Sequence, residues 1–299
     1  MLRSMYSGIS GMKNFQTKLD VIGNNIANVN TYGFKKGRVV FKDMISQSVA
    51  GAAAPTEGGR GGTNSKQVGL GGSLAAIDTI HTEGSAQTTN RTLDMRITGD
   101  GYFVVNDGTT TSFTRAGNFY LDQAGNLVNS DGLFLRGIPG DGADPEQLPT
   151  TIDGAEIGNI KVPTNAESLS IGPDGIVTYV RAGEINRAGQ IAIAKFSNPE
   201  GLEKVGENLY QVTTNSGTFT DATTITQQFE DPTAPDQAYI TIPQTLGSGS
   251  VISGQLEMSN VDLSEEFTDM IVAQRGFQAN TRIITTSDEI LQELVNLKR

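Results

Sequence analysis

The chain contains no cysteine, no tryptophan and only one histidine among its 299 residues. Without cysteine it cannot form disulfides, thiolate metal sites or a cysteine nucleophile. A single histidine, His81, also excludes the two-histidine HExxH motif and other multi-histidine metal sites. We expect His81 to lie at a strand edge or in a loop and not to bind a ligand.

Long apolar runs are also missing. No stretch of 18 apolar residues exists, so we expect no membrane insertion. The first residues do not form the apolar segment of a secretory signal, so we expect no cleaved signal of that type. The hydrophobic fraction is 36% and glycine is abundant at 36 residues, which predicts an extended, turn-rich protein with thin cores.

Sequence motifs of common enzymes are absent. The chain has no G-x-S-x-G elbow, no GxxxxGK[ST] loop and no strand–GxGxxG–helix unit. The glycine-rich run at 69–72 lies in a flexible stretch and is interpreted as linker. The 33 acidic residues offer no pair that stands out for acid–base chemistry. We therefore predict a protein that is not an enzyme and holds no cofactor or metal.

The net charge of −11 is unevenly distributed. Residues 1–38 carry six basic side chains against Asp20, whereas residues 257–299 carry eight acidic against four basic side chains. These ends could attract each other within or between subunits, or they could be two solvated helix faces. The acidic remainder argues against nucleic-acid binding.

The first thirty residues have the apolar spacing of an amphipathic helix. Proline is absent from Leu2 to Val29, and turn-forming residues from Asn28 to Gly33 mark the end of the pattern. The apolar positions form one seven-residue row that neighbouring positions widen into a stripe. The predicted packing residues of this helix are Met5, Ile9, Met12, Leu19, Ile22 and Ile26.

The last forty residues repeat this pattern. An apolar row spaced by seven residues starts at Leu256, and either Asn260 or Asp262 could cap the helix. The predicted packing residues of this helix are Leu263, Met270, Phe277, Ile284 and Leu291. We expect the two helices to pair as a coiled coil, with packing of each stripe on the middle domain as the alternative. Polar residues weaken this seam, so the helices could become ordered only on assembly.

Between the helices, short strand patterns separated by Asp-Gly and similar turns predict an antiparallel β domain resembling a barrel or a sandwich. The fold class is therefore α+β with a discontinuous helical domain. The predicted boundaries are 1–34 and 258–299 for the helical core, 35–75 and 243–257 for linkers or arms, and 76–242 for the β domain, with a surface excursion at about 216–238. The glycines predicted to act as hinges in the linkers are Gly58, Gly59, Gly61, Gly62, Gly247 and Gly249.

Three separated stretches resemble the family of flagellar basal-body rod and hook proteins. The first, residues 19–35, contains LDVIGNNIANVNTYGFK, in which the family signature residues are Asn24, Asn25, Asn28, Gly33 and Phe34. The second comprises GDGYFVV at 99–105, TRAGNF at 114–119 and GNLV at 125–128. The third runs from SNVDL at 259–263 through AQRGFQAN to DEIL at 288–291. The resemblance covers both ends and the middle in the family's order.

This resemblance implies a structural subunit that is exported unfolded through the flagellar type III apparatus and polymerises into a hollow tube. It implies a helical homopolymer, with the rod, hook cap, hook–filament junction proteins and export apparatus as partners. The ending LVNLKR and the spacer after Met44 favour an extracellular hook subunit, a flexible joint that transmits motor torque to the filament. The distal rod protein is the alternative, since the chain lacks the extra domain of longer hook proteins. A secreted β-rich adhesin is a further alternative.

Overall fold

The structure is a computed structural model that describes residues 2–55, 61–140, 157–219, 237–245 and 247–297. Its contacts divide the chain into two compact units. The helical unit comprises Met1–Ala27, Lys36–Ile80 and Val261–Arg299, and the β unit comprises Asn28–Lys35 and His81–Asn260. This confirms an α+β chain with a helix at each end. The domain boundaries given from the sequence remain predictions. They treat residues 35–75 as a linker or arm, whereas the contacts group residues 36–80 with the helices.

The helical unit contains α1 (Leu2–Ala27) and α2 (Leu263–Leu297). Asp262 caps α2, because its Oδ1 accepts hydrogen bonds from the backbone N–H of Ser264 at 2.8 Å and of Glu265 at 3.4 Å. The prediction that the apolar helix row starts at Leu256 was wrong. Leu256 is buried in a strand of the β unit, since the cap at Asp262 starts the helix later.

The other part of the helical unit is a pair of antiparallel ribbons. Strand β1 (Gly37–Asp43) pairs with β4 (Gly72–Thr79), and β2 (Ser46–Ala50) pairs with β3 (Lys66–Gly69). The sequence left open a linker or an extended arm here, and the described residues pair as strands. Pairing gives the backbone N–H and C=O groups of this glycine-rich stretch hydrogen-bond partners.

The β unit is built around β7 (Tyr102–Asn106), which pairs with three other strands. The remaining strands are β5 (Ala86–Thr88), β6 (Met95–Thr98), β8 (Thr111–Thr114), β9 (Tyr120–Leu121), β10 (Leu127–Val128), β11 (Phe134–Pro139), β12 (Gly158–Asn159), β13 (Ser168–Ile171), β14 (Ile176–Arg181), β15 (Glu184–Ile191), β16 (Ile193–Lys195), β17 (Glu203–Gly206), β18 (Leu209–Gln211), β19 (Thr218–Phe219), β20 (Gln237–Thr241), β21 (Ser250–Ser253) and β22 (Gln255–Glu257). A 3-10 helix covers Pro199–Gly201.

Two apolar cores lie on opposite sides of β7 because successive side chains of a strand point to opposite faces. Phe103 and Val105 belong to one core, whereas Tyr102 and Val104 belong to the other. In the first core Phe103 meets Phe119 edge to face, with ring centroids 5.2 Å apart. Since both faces of β7 are covered, its residues from Tyr102 to Val105 are all buried.

The prediction of an antiparallel sheet is confirmed. Fourteen strands of the described residues join in one sheet, which follows the order β13-β14-β15-β11-β7-β16-β20-β19 with further strands branching from it. Among the pairs described, β19 and β20 run parallel. Most of the excursion predicted at about 216–238 lies outside the described residues.

Candidate functional site: helix pair and signature segment

Helices α1 and α2 contact each other within the helical unit. The Met12 sulfur lies 3.5 Å from the Thr281 hydroxyl oxygen. A side chain at Gly11 would lie 2.9 Å from the Asn280 amide, and one at Gly276 would lie 2.6 Å from the Phe15 ring. Small residues therefore allow the helices to come close together.

The predicted packing residues divide by exposure. Ile22 is buried, whereas Ile9 and Leu263 are exposed at 36% and 40%. The remaining ones are half-buried: Met5, Met12, Leu19, Ile26, Met270, Phe277, Ile284 and Leu291. On α2, the four half-buried residues of the predicted row are thus less exposed than the large apolar residues outside it.

Helix α2 also carries large apolar side chains that the described residues leave exposed. Eight of its large apolar side chains, apart from the predicted row, are at least 44% exposed. They are Phe267, Ile271, Val272, Ile283, Ile290, Leu294, Val295 and Leu297. Exposed large apolar side chains in such number are typical of a protein–protein contact.

The signature residue Asn25 joins three parts of the helical unit. Its side-chain amide donates to the Gly37 carbonyl at 2.9 Å and to Glu266 Oε1 at 3.2 Å, and its own carbonyl accepts from the Gly37 N–H at 3.0 Å. Burial raises the pKa of Glu266, and the hydrogen bond from Asn25 opposes this rise. Asn25 thus anchors both the first strand after α1 and the start of α2.

The other signature asparagines are placed differently. Asn24 is exposed on α1, and Asn28 begins the β unit. The Thr31 N–H donates to the Asn28 carbonyl at 3.1 Å, and the Thr31 hydroxyl donates to its side-chain oxygen, also at 3.1 Å. Asn28 therefore stabilises the turn that follows α1.

Gly33 and Phe34 are both buried in the β unit. Gly33 has a φ of +70°, and a Cβ there would lie 2.6 Å from the Ala116 backbone nitrogen. Both the backbone conformation and the close approach require glycine. The Phe34 ring lies under the Lys204 ammonium, with the nitrogen 4.9 Å from the ring centroid.

Next to Phe34, the Lys35 side chain is fully buried and forms an ion pair with the equally buried Glu257. Arg115 Nη1 reaches the other carboxylate oxygen at 3.4 Å, and its side chain is 4% exposed. Burial lowers the pKa of Lys35, whereas the charge of Glu257 opposes that shift. No pattern in the sequence indicated this cluster.

His81 lies beside this cluster. Its Nδ1 and the Tyr102 hydroxyl oxygen are 2.6 Å apart, and its ring centroid lies 5.6 Å from that of Tyr210. Burial lowers the pKa of His81 to about 3, and the charges of Lys35, Lys204 and Arg115 act in the same direction. Burial raises the pKa of both tyrosines, and the charge of Arg115 opposes this rise.

The predicted hinge glycines occupy varied surroundings. Gly58 and Gly59 lie outside the described residues, whereas no described atom lies within 4 Å of the Cβ position of Gly61. A Cβ at Gly62 would lie 3.1 Å from the Ala53 carbonyl oxygen, and Gly247 has a φ of +69°. A Cβ at Gly249 would meet the Thr98 carbonyl at 2.2 Å, so glycine is required there for close packing. Their role as hinges remains a prediction.

Family models match the chain at three places. "Flagella basal body rod protein" matches residues 5–35, "Flagellar hook protein FlgE/F/G D1 domain" matches 96–179, and "Flagellar basal body rod FlgEFG protein C-terminal" matches 252–297. These ranges contain the signature segment, the central strand β7 and helix α2.

Full-length relatives agree with these models. The chain is 56% identical to the flagellar basal-body rod protein FlgG of Bacillus subtilis, with all of both chains covered. It is 35% identical to FlgG and 32% identical to the flagellar hook protein FlgE of Borreliella burgdorferi, again with full coverage of both chains. Paired terminal helices, an inserted β unit and these matches define a structural subunit of the bacterial flagellum. The chain belongs to the family of flagellar basal-body rod and hook proteins.

This family consists of structural, non-enzymatic proteins of the motility apparatus, which confirms the prediction that the chain is not an enzyme. Membership in this family also argues against the alternative of a secreted β-rich adhesin. Within the described residues, neither helix has the length and apolarity needed to cross a membrane.

Proposed function

We propose that the chain is a rod subunit of the flagellar basal body, of the distal-rod type. The observation that carries this proposal is the 56% identity with a rod protein over the whole of both chains. Identity with the hook protein of Borreliella burgdorferi is lower, at 32%. The comparisons therefore favour the distal rod, the sequence-based alternative, over the hook.

Chain length supports the same choice. The alignments with the two rod proteins span 300 and 303 positions, close to the 299 residues of this chain. The alignment with the hook protein spans 461 positions, so that relative has long segments without a counterpart here. The hook prediction rested on the C-terminal ending LVNLKR and on the spacer after Met44. Most of that ending lies in a region whose family model carries the names FlgE, FlgF and FlgG together, so it does not separate rod from hook.

In this proposal the subunit is a homopolymer component. Helices α1 and α2 pair as a coiled coil, and the exposed apolar side chains of α2 are covered by neighbouring copies of the chain. Copies arranged around an axis would enclose an export channel, and the β unit of each copy would form a barrel or sandwich. A shaft of this kind transmits torque.

The proposed partners and location follow from this assignment. The subunit would be exported through the type III apparatus without a cleaved signal, and would contact other rod proteins and the base of the hook. Direct contact with the hook cap, with the hook–filament junction or with an extracellular environment belongs to the hook alternative.

Gene deletion followed by electron microscopy of purified basal bodies tests the choice. The proposal expects rods that end short of their full length and carry no hook. A complete rod with no hook would instead identify the chain as the hook subunit. Complementation with the wild-type gene should restore full-length rods and is the matched control.

A further inference from the structure

The chain enters or leaves the β unit at four places, next to residues 28, 35, 81 and 260. Three of these places, at residues 35, 81 and 260, are close in sequence to an ion pair. Each lies within three residues of Glu257, of its ion-pair partner Lys35, or of a residue that one of these two side chains contacts. Lys35 is itself the last residue of the first segment, Thr82 and Gly84 follow the next entry, and Glu257 precedes the exit at 260.

Glu257 connects these segments through both its backbone carbonyl and its side-chain carboxylate. Its backbone carbonyl accepts from the Gly33 N–H at 2.9 Å, and its carboxylate accepts from the Gly84 N–H at 3.0 Å. Lys35, the ion-pair partner of this carboxylate, donates a second hydrogen bond to the Thr82 carbonyl at 2.7 Å. The Met258 N–H completes the connection by donating to the Ser85 carbonyl at 2.9 Å.

Because its members are charged and buried, this arrangement is sensitive to the loss of any one of them. One carboxylate lies between two cations, and the three side chains of Lys35, Arg115 and Glu257 are at most 4% exposed. Removal of one partner from a buried ion pair leaves an uncompensated charge away from water, which is far more costly than loss of an exposed pair. Arg115 has a further hydrogen bond to the Gly99 carbonyl at 2.8 Å, which holds it in place independently.

We propose that Lys35, Glu257 and Arg115 form a buried charge clamp that fastens the segments 28–35, 82–85 and 257–260 to one another. The signature segment 28–35 stays folded in the β unit only while this clamp is intact. Any pull transmitted along the chain into the β unit enters through these segments, so the clamp opposes their separation. The inference does not depend on whether the polymer is rod or hook.

Hydrogen exchange of the full-length chain tests the proposal, with the amides of Gly33, Gly84 and Met258 as one reporter in each segment. In the wild-type protein the three amides should share one opening reaction, with protection that agrees within about tenfold and the same dependence on denaturant. Protection that differs by more than this among them would overturn the clamp.

The variant Glu257→Gln keeps the shape of the side chain and removes its charge. We expect exchange of the three reporter amides to accelerate by roughly a hundredfold, while amides of β7 change far less. The control Glu184→Gln removes a charge from an exposed position of β15 and should leave all these rates unchanged. Equal rates in Glu257→Gln and in the control would contradict the proposal, as would uniform acceleration that includes β7.

A double-mutant cycle separates the clamp from general destabilisation. Lys35→Met combined with Glu257→Gln removes one cation together with the anion, so the double variant should be less affected than the sum of the single variants. Additive effects would show that Lys35 and Glu257 act separately. If Glu257→Gln fails to fold, the wild-type comparison of the three amides still decides the question.

Discussion

Asn25 and Glu266 lie on different helices, 241 residues apart in sequence, and their side chains share a hydrogen bond of 3.2 Å from Nδ2 to Oε1. The same amide group also holds both backbone groups of Gly37. One signature side chain therefore connects α1, α2 and the strand that follows α1, all within the helical unit.

Asn25→Ala should destabilise the helical unit. The change leaves the N–H and C=O of Gly37 and the carboxyl of Glu266 without this partner, and unmet buried groups cost about 1–3 kcal/mol each. We expect a loss of roughly 2–4 kcal/mol in the free energy of unfolding, measured by urea denaturation with helix content as the probe. The control Gln16→Ala, at an exposed position on the same helix, should change it by less than about 1 kcal/mol.

Gly33→Ala should destabilise the β unit. A left-handed backbone costs a non-glycine residue about 1–2 kcal/mol, and the added methyl group would lie 2.6 Å from the Ala116 nitrogen, for a further cost of about 1–3 kcal/mol. Urea denaturation followed through tertiary structure measures the sum. The control Gly132→Ala also has a positive φ, of 84°, but no atom of the described residues lies within 4 Å of its Cβ position. Equal losses in the two variants would mean that packing at Gly33 contributes nothing.

The helices could be predicted from sequence because their signal is local. The apolar pattern from Leu2 to Val29 ends within two residues of the observed end at Ala27, and the cap at Asp262 is an ordinary helix start. The paired ribbons at 37–79 were harder, since glycine-rich composition indicates an extended chain without showing what it pairs with.

The charge cluster could not be predicted from one sequence. Lys35 is followed by Lys36, so the pair looks like a solvated basic segment, and Glu257 lies 222 residues away. Only the folded β unit brings Lys35 and Glu257 together with Arg115. The one available signal was the pair Leu256-Glu257, in which a charged residue follows an apolar one. The seven-residue spacing assigned this leucine to a helix, so the pair was not recognised as part of a buried strand.

Ile271→Lys should block polymerisation and leave the subunit folded. Ile271 is 55% exposed on α2, so a charge there should alter the free energy of unfolding by less than about 1 kcal/mol. Between copies of the chain, however, the same charge would be buried without a partner, which is costly. We expect unchanged helix content and a loss of tubes in electron micrographs of the purified protein.

The control for this experiment is Gln274→Lys, which adds the same charge at another exposed position of α2. It should form tubes as the wild type does. Normal tubes from Ile271→Lys would exclude this part of α2 from contacts between subunits.

Acidification from pH 7 to pH 5 should destabilise the β unit through His81. The folded pKa of His81 is lowered to about 3, whereas histidine in an unfolded chain has a pKa near 6.5. The unfolded chain therefore binds a proton in this interval and the folded chain does not, so stability is complete above about pH 6.5 and falls as the pH decreases below it. The folded state resists protonation because Lys35, Lys204 and Arg115 already place positive charge around the ring, with Glu257 as the nearby anion and Tyr102 and Tyr210 as neutral neighbours.

We expect a loss of about 1–2 kcal/mol by pH 5, since His81 is only half-buried. Urea denaturation at both pH values measures this loss, and His81→Gln, which keeps a hydrogen-bonding group beside Tyr102, should lose correspondingly less.

The rise in the pKa of Glu266 acts with the opposite sign, because the folded state takes up that proton first, and the comparison with His81→Gln cancels its contribution. Identical pH dependence in the wild type and in His81→Gln would show that His81 does not govern this loss of stability.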